Sequence, residues 1–293
     1  MKDEFDGCAR KRVGNTLRRW LNTFPMCFWD QTANSFVVGL LVLLAACSTP
    51  TLPPEPMRFT VAGSTTMTPL LTELAEAYHV RFPQVSIALE GGGSRRGLAG
   101  VKNGEVALGA SSWLPAEDEA TVWSTPVAVD GIAIIVHPDN PVTALTLAQL
   151  REVFSGWLWD WAGLGGTGEV QIISREKGSG TRAAFEARVM EGQRVMPTAL
   201  IMPGSQAVAD YVATHPEAIG YLSMGYLSEK VKALAVEGVM PTPKTVADGT
   251  YHLTRPLFLV ASVEPGGAPR SFVDFALGPE GQRIVGERYG RVR

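Results

Sequence analysis

From Arg58 onward, short apolar runs alternate with amphipathic stretches. The runs RFTVAG (58–63), VSIALE (85–90), VALGAS (106–111), PVAVDGIAIIVH (126–137), VQIIS (170–174), IGYLS (219–223) and PLFLVAS (256–262) predict strands. Between them, 67–80, 95–103, 147–154, 180–190, 206–214 and 270–288 predict helices. In the first of these, Leu70, Leu71, Leu74, Ala75 and Tyr78 recur at helical spacing and share one face. Strands that alternate with helices predict an α/β fold with largely parallel sheets.

The chain before Arg58 has another pattern. Residues 36–46, FVVGLLVLLAA, form an unbroken apolar run of eleven. A membrane-spanning helix needs about 20 such residues; eleven suit the apolar core of a signal peptide. Lys2, Arg10, Lys11, Arg12, Arg18 and Arg19 supply the positive charge expected upstream. The run ends in Leu44-Ala45-Ala46-Cys47, which resembles the lipobox of bacterial lipoproteins. A buried helix ending in Cys by coincidence fits less well, given the small residues before Cys47 and the Pro-rich STPTLPPEP (48–56) after it. Residues 1–46 are therefore expected to be a signal peptide of the lipoprotein type. Cys47 is expected to carry lipid, and 47–57 to be an extended tether. The 35 residues before the apolar run are long for such a leader, as they would be if translation began further downstream.

Composition excludes several classes. Hydrophobic residues at 45% and charged residues at 19% are ordinary for a folded globular chain. The net charge is −3 with both signs interspersed, so no basic stripe points to nucleic acid. Without residues 1–46 the body carries 20 basic and 25 acidic residues, a net charge of −5. An acidic protein that binds an anion must do so through locally aimed donors. All three cysteines (Cys8, Cys27, Cys47) lie in the first 47 residues, leaving no disulfide, cysteine zinc site or cysteine nucleophile for the body. His79, His137, His215 and His252 are scattered without HExxH spacing, so no metal site is expected.

One local pattern recurs. VAGSTTMTPL (61–70), LEGGGSRRGLAGV (89–101) and ISREKGSGTRAAF (173–185) each read as strand, Gly/Ser/Thr knot, helix. A helix start presents unpaired N–H groups, Gly admits close approach, and hydroxyls add donors, so such a junction suits an anion. Thr65, Thr66, Ser94, Ser179, Gly180 and Thr181 are the candidate donors, with Arg175 as a forked cation at the third junction. A single Ser or Thr at such a place is more often a simple N-cap. Three junctions of one chemistry, one with an arginine, favour convergence on a tetrahedral anion.

Other motifs carry less. Gly163-Leu164-Gly165-Gly166-Thr167-Gly168 spells GxGxxG but precedes a strand, the reverse of the dinucleotide context. No Walker A loop and no GxSxG elbow occur. Trp157, Trp159 and Trp161 could form a sugar or base platform, but core or interlobe packing is the expectation.

The motifs VAGSTTMTPL, EGGGSRRGLAGVKNGEVALGASS, AVDGIAIIVHPDNPV, SREKGSGTRAAFEARV and PEAIGYLSMGY, in that order, resemble the phosphate-binding proteins of ABC phosphate importers (PstS-like). The resemblance runs from about Phe59 to the C-terminus. It implies a two-lobed periplasmic-binding-protein fold of the α/β class, with a hinge and the ligand in the interlobe cleft. Lobe I would comprise 58–133 plus 254–293, and lobe II 134–253. Phosphate contacts would come from Thr65, Thr66, Ser94, Arg175, Ser179, Gly180 and Thr181. Ser112 stands where many members have an Asp that accepts the proton of the phosphate; Asp130 is a candidate for the displaced acceptor, equally readable as a hinge or turn residue. Arg95 and Arg96 replace small residues, and Lys177 replaces an Asp that in some members pairs with the binding arginine.

The resemblance further implies a monomeric, exported receptor rather than an enzyme. It would need no cofactor or catalytic residue, be lipid-anchored on the outer face of the cell membrane or in the periplasm, and pass phosphate to permease and ATPase subunits. Sulfate or molybdate as ligand, a phosphoester hydrolase, and a sensor or adhesin on the same fold stay open as alternatives.

Overall fold

A computed structural model describes residues 56–292. Residues 1–46, expected to be a signal peptide, and Cys47, expected to carry lipid, lie outside the described residues. So does all of the tether except its last two positions, where Met57 already begins the first strand.

The principal strands are β1 (Met57–Gly63), β2 (Val85–Glu90), β3 (Leu108–Ser111), β4 (Trp123–Val136), β5 (Gln171–Arg175), β6 (Leu200–Met202), β7 (Ala218–Ser223) and β8 (Thr254–Ala261). Their order across the sheet is β2-β1-β3-β8-β4-β7-β5-β6. Each of the seven strands read from sequence is present, with ends shifted by at most a few residues. The sheet is less parallel than alternation suggests. β1 runs parallel to β2 and β3, and β5 parallel to β6 and β7. In the middle, β8 is antiparallel to both β3 and β4, and β4 is antiparallel to β7. The cause is non-local: β8 returns from late in the chain and inserts between strands placed long before it. Over 14 residues, β4 pairs first with β8 through Trp123–Gly131 and then with β7 through Ile132–Val136.

Helices α1 (Thr68–Arg81), α2 (Ser94–Lys102), α3 (Leu147–Ser155), α4 (Gly180–Phe185) and α5 (Ser205–Val212) follow strands or turns as read from sequence. The face of α1 that carries Leu70, Leu71, Leu74 and Tyr78 is buried, and Tyr78 packs edge-on against Phe272 at 5.4 Å. The expected single helix 270–288 is two, α6 (Gly267–Leu277) and α7 (Pro279–Arg288). Pro279 lacks the N–H that would continue the first helix and is suited to open the second. Likewise, the stretch read as 180–190 is α4 followed by a π-helical turn, Glu186–Met190.

The tryptophans divide, and the packing expectation is corrected for two of them. Trp161 is in the core and its Nε1 donates to the Glu217 carbonyl at 3.0 Å. Trp157 and Trp159 are 81% and 59% exposed. Asp160 caps the short turn Trp161–Leu164, which swings only the last ring inward. The GxGxxG stretch lies in and after that turn and leads into β5, with no helix start for a dinucleotide. Among the described residues, no helix is long and apolar enough to cross a membrane.

Candidate functional site

The site grows from strand ends. Where β1 stops, Gly63 sits at φ +136°, and a Cβ there would lie 2.3 Å from the Ala110 carbonyl oxygen and 2.9 Å from Gly97 Cα. Only glycine lets β1, β3 and α2 meet backbone to backbone. The chain then turns through Ser64 into the short turn Thr65–Met67 that leads into α1. Beyond β2, Gly92 and Gly93 have φ of +120° and +86°, bending the chain so that Ser94 opens α2. Beyond β5, Ser179 caps α4; beyond β6, Ser205 opens α5.

These junctions meet. Thr66 Oγ1 lies 2.8 Å from Thr181 Oγ1. Ser64 Oγ donates to Ser112 Oγ at 2.9 Å, and Ser112 in turn lies 3.2 Å from Ser94 Oγ, which also accepts the Ser112 N–H at 3.0 Å. A Cβ on Gly180 would fall 2.3 Å from Ser94 Oγ and 2.5 Å from Ser112 Oγ, so that glycine lies directly against both hydroxyls. Arg175 Nη2 donates to Thr65 Oγ1 at 3.2 Å, and Tyr226 donates its hydroxyl to the Thr65 carbonyl at 2.5 Å.

Thr65, Thr66, Ser94, Ser112, Arg175, Gly180 and Thr181 therefore form one cluster, and all but Thr65 are buried. The Ser179 backbone adjoins it, but the Ser179 hydroxyl faces its own helix and accepts the Arg182 N–H at 3.3 Å.

Asp130 lies beneath the cluster. Its Oδ2 accepts from Arg255 Nε at 3.0 Å and Nη2 at 2.8 Å, and its Oδ1 accepts from the Ser223 hydroxyl at 2.8 Å. Burial pushes the Asp130 carboxyl above its ordinary value while the Arg255 charge pulls it back down. Arg175 is held in a similar way. Its Nε and Nη2 grip the Glu176 carboxylate at 2.9 and 3.0 Å. The arginine's counter-ion is thus the adjacent Glu176, and the departure at Lys177 leaves Arg175 paired. Arg96 turns outward to Glu105 at 2.7 Å, and Arg95 is exposed, with only its backbone N–H bonded across to the Gly178 carbonyl at 3.3 Å.

Several contributors escape a sequence reading. MPGSQAVADYV (202–212) is a fourth junction of the same kind, hidden because its strand, β6, is only three residues long. Its Ser205 hydroxyl accepts from Arg175 Nη1 at 3.1 Å. Arg255 sits in no recognisable motif; it faces Asp130 because β8 and β4 pair those two residues in register. Ser64 and Tyr226 lie inside recognised motifs but are not among the candidate donors; they join through hydrogen bonds to Ser112 and to the Thr65 carbonyl. Among the described residues, no group of three or more His, Cys, Asp or Glu side chains is placed to hold a metal.

Comparison with known proteins agrees with this architecture. The PBP superfamily domain matches residues 48–280. The phosphate-binding protein PstS of Bacillus subtilis (strain 168) is 32% identical over 232 residues, 77% of this chain and 77% of that protein. The PstS of Pseudomonas aeruginosa (strain PAO1) is 30% identical over 255 residues, 76% of this chain and 79% of that protein. A crystal structure of an ABC transporter substrate-binding protein from Clostridium perfringens with bound phosphate superposes with a TM-score of 0.77 at 35% identity, covering 80% of this chain and all of that one. The chain belongs to the PBP superfamily and, within it, to the family of the PstS phosphate-binding proteins.

Proposed function

We propose that this protein is the extracytoplasmic receptor of an ABC importer and that inorganic phosphate is its ligand. One observation carries the reading: the buried Arg175 donates to hydroxyls of two helix starts, Ser205 and Thr65, and the hydroxyl contacts Thr66–Thr181 and Ser94–Ser112 bring in the other two. Such a cluster exchanges an oxyanion's hydration shell for fixed donors, and charge-assisted bonds from a guanidinium are the strongest of these. Thr65, Thr66, Ser94, Ser112, Arg175, Gly180 and Thr181 are the proposed contacts, with the Ser179 backbone beside them.

Lobe I is taken as 58–133 plus 254–293 and lobe II as 134–253. On that division, Thr66–Thr181, Arg175–Thr65 and Tyr226–Thr65 are bonds between lobes, as expected for a receptor that closes on its ligand. The continuous strand β4 and its partner β8 then form the connection about which the lobes move. The mature protein starts at a lipid-bearing Cys47, acts as a monomer and delivers its ligand to membrane permease and ATPase subunits.

A second oxyanion is favoured by one specific observation. Asp130 and Glu176 are both engaged by arginines, so the proton of a phosphate would be accepted by a hydroxyl such as Ser112. Sulfate or molybdate needs no such acceptor. Calorimetry with phosphate and sulfate at pH 6 and pH 8 separates the readings. Tight phosphate binding with sulfate at least ten-fold weaker is expected; equal sulfate affinity would refute phosphate selectivity. Hydrolysis of p-nitrophenyl phosphate over many turnovers, lost on substitution of a cluster residue, would instead make the protein an enzyme.

A further inference from the structure

We propose that Arg255 is a second arginine in direct contact with the bound anion, through Nη1, and that Asp130 serves to position it. The inference rests on the oxyanion-receptor reading above. Arg255 is only 2% exposed, and its Nη1 is fully buried without a hydrogen-bond partner. An unpaired donor on a buried cation is costly and calls for an occupant.

The direction of that donor follows from planarity. A guanidinium presents one side edge through Nε and Nη2 and one end edge through Nη1 and Nη2. The side edge of Arg255 is fixed on Asp130 Oδ2. Its Nη2 also donates to Thr66 Oγ1 at 3.3 Å, which places Thr66 off the end edge. The Nη1 hydrogen on that edge points the same way, toward the hydroxyls that Thr66 and Thr181 bring together.

Arg175 shows the same arrangement with its end edge filled. Its side edge grips Glu176, its Nη2 reaches Thr65 and its Nη1 reaches Ser205. Consecutive threonines thus each receive one arginine, and each arginine is balanced by one carboxylate. Only Arg255 Nη1 lacks a counterpart. Asp130, bonded to Arg255 and Ser223, acts by orienting this group and not by accepting a proton from the ligand. The competing occupant is a water shared with Tyr289 Oη, the other buried side-chain atom without a partner among the described residues.

The test titrates the full chain and its R255K, R255Q and R175A variants with phosphate, sulfate and molybdate by calorimetry, each variant checked by thermal melting. We expect R255Q to weaken the anion that the wild type binds best by at least thirty-fold. R255K keeps the charge but loses the planar edge and should weaken it at least ten-fold. Wild-type affinity in R255K, alongside lost binding in R175A, would remove Arg255 while leaving the receptor reading intact. A wild type that binds none of the three anions overturns both. Should R255Q fail to fold, R255K and a crystal structure of the wild type soaked in its preferred anion decide the matter. An anion oxygen within hydrogen-bond distance of Nη1 supports the proposal, and a water between Nη1 and Tyr289 Oη refutes it.

Discussion

Thr66 and Thr181 stand 115 positions apart in the chain and meet hydroxyl to hydroxyl at 2.8 Å. A hydroxyl pair of this kind uses one proton between the partners and leaves the other free to donate. Thr66 also accepts the Arg255 Nη2 hydrogen bond, so the pair and that guanidinium form one donor group. The pair therefore joins two distant segments and can offer a hydrogen bond to an anion.

Thr181→Val removes one member of the pair at nearly constant volume. With the anion bound, a lost charge-assisted hydrogen bond weakens affinity by about 1.5–3 kcal/mol, roughly ten- to a hundred-fold. Calorimetry on Thr181→Val and on Thr181→Ser, which keeps the hydroxyl, checks this. Equal losses in both would assign the effect to packing.

Gly180→Ala tests how tightly the junctions meet. The new methyl would fall 2.3 Å from Ser94 Oγ and 2.5 Å from Ser112 Oγ, so both hydroxyls must shift. Overpacking at a buried site costs about 1–3 kcal/mol of stability. We expect a lower melting temperature together with at least ten-fold weaker phosphate binding. Unchanged binding would show that Ser94 and Ser112 contribute no ligand contact.

Asp130→Asn leaves the Arg255 guanidinium buried without its counter-charge. Breaking a buried ion pair from one side costs about 3–5 kcal/mol. A sequence reading of Asp130 as proton acceptor would predict loss of phosphate-over-sulfate preference. With the carboxylate held by Arg255 and Ser223, the expectation is a lower melting temperature and a parallel weakening of both anions. A selective gain in sulfate affinity would restore the acceptor role.

Cys47→Ala tests the anchor. The wild-type chain expressed in a bacterial host with a lipoprotein pathway should sediment with membranes, and the variant should be released into the soluble fraction. Identical partitioning of the two would rule out lipid on Cys47.

Much of this was legible in the sequence, and the exceptions share a cause. The strands and the apolar face of α1 follow local periodicity, which the chain carries residue by residue. Three Gly/Ser/Thr junctions were equally visible because each follows a strand of four residues or more. Ser205 escaped because a three-residue strand such as Leu200–Met202 is too short to show alternation. Arg255 escaped because its meeting with Asp130 depends on strand register across 125 positions. The role of Asp130 was open in the sequence for the same reason: nothing nearby revealed that its charge was already matched. Trp157 and Trp159 read as packing mass because hydrophobicity alone does not say which way a capped turn faces.

Gly63, Gly97 and Gly109 bear on how the site can change. Side-chain substituents at Gly97 and Gly109 would strike backbone within 2.8 Å, as at Gly63, so α2 rests on β1 and β3 with main chain against main chain. Most helices find their seat through interlocking side chains, and drift when those are exchanged. This one is seated on parts that every amino acid shares. The origin of Ser94 is thus held by main-chain contact in addition to the side-chain packing of Leu98 and Val101 against Val260, and selection acting on Ser112 or the arginines could retune anion preference around a donor that stays where it is.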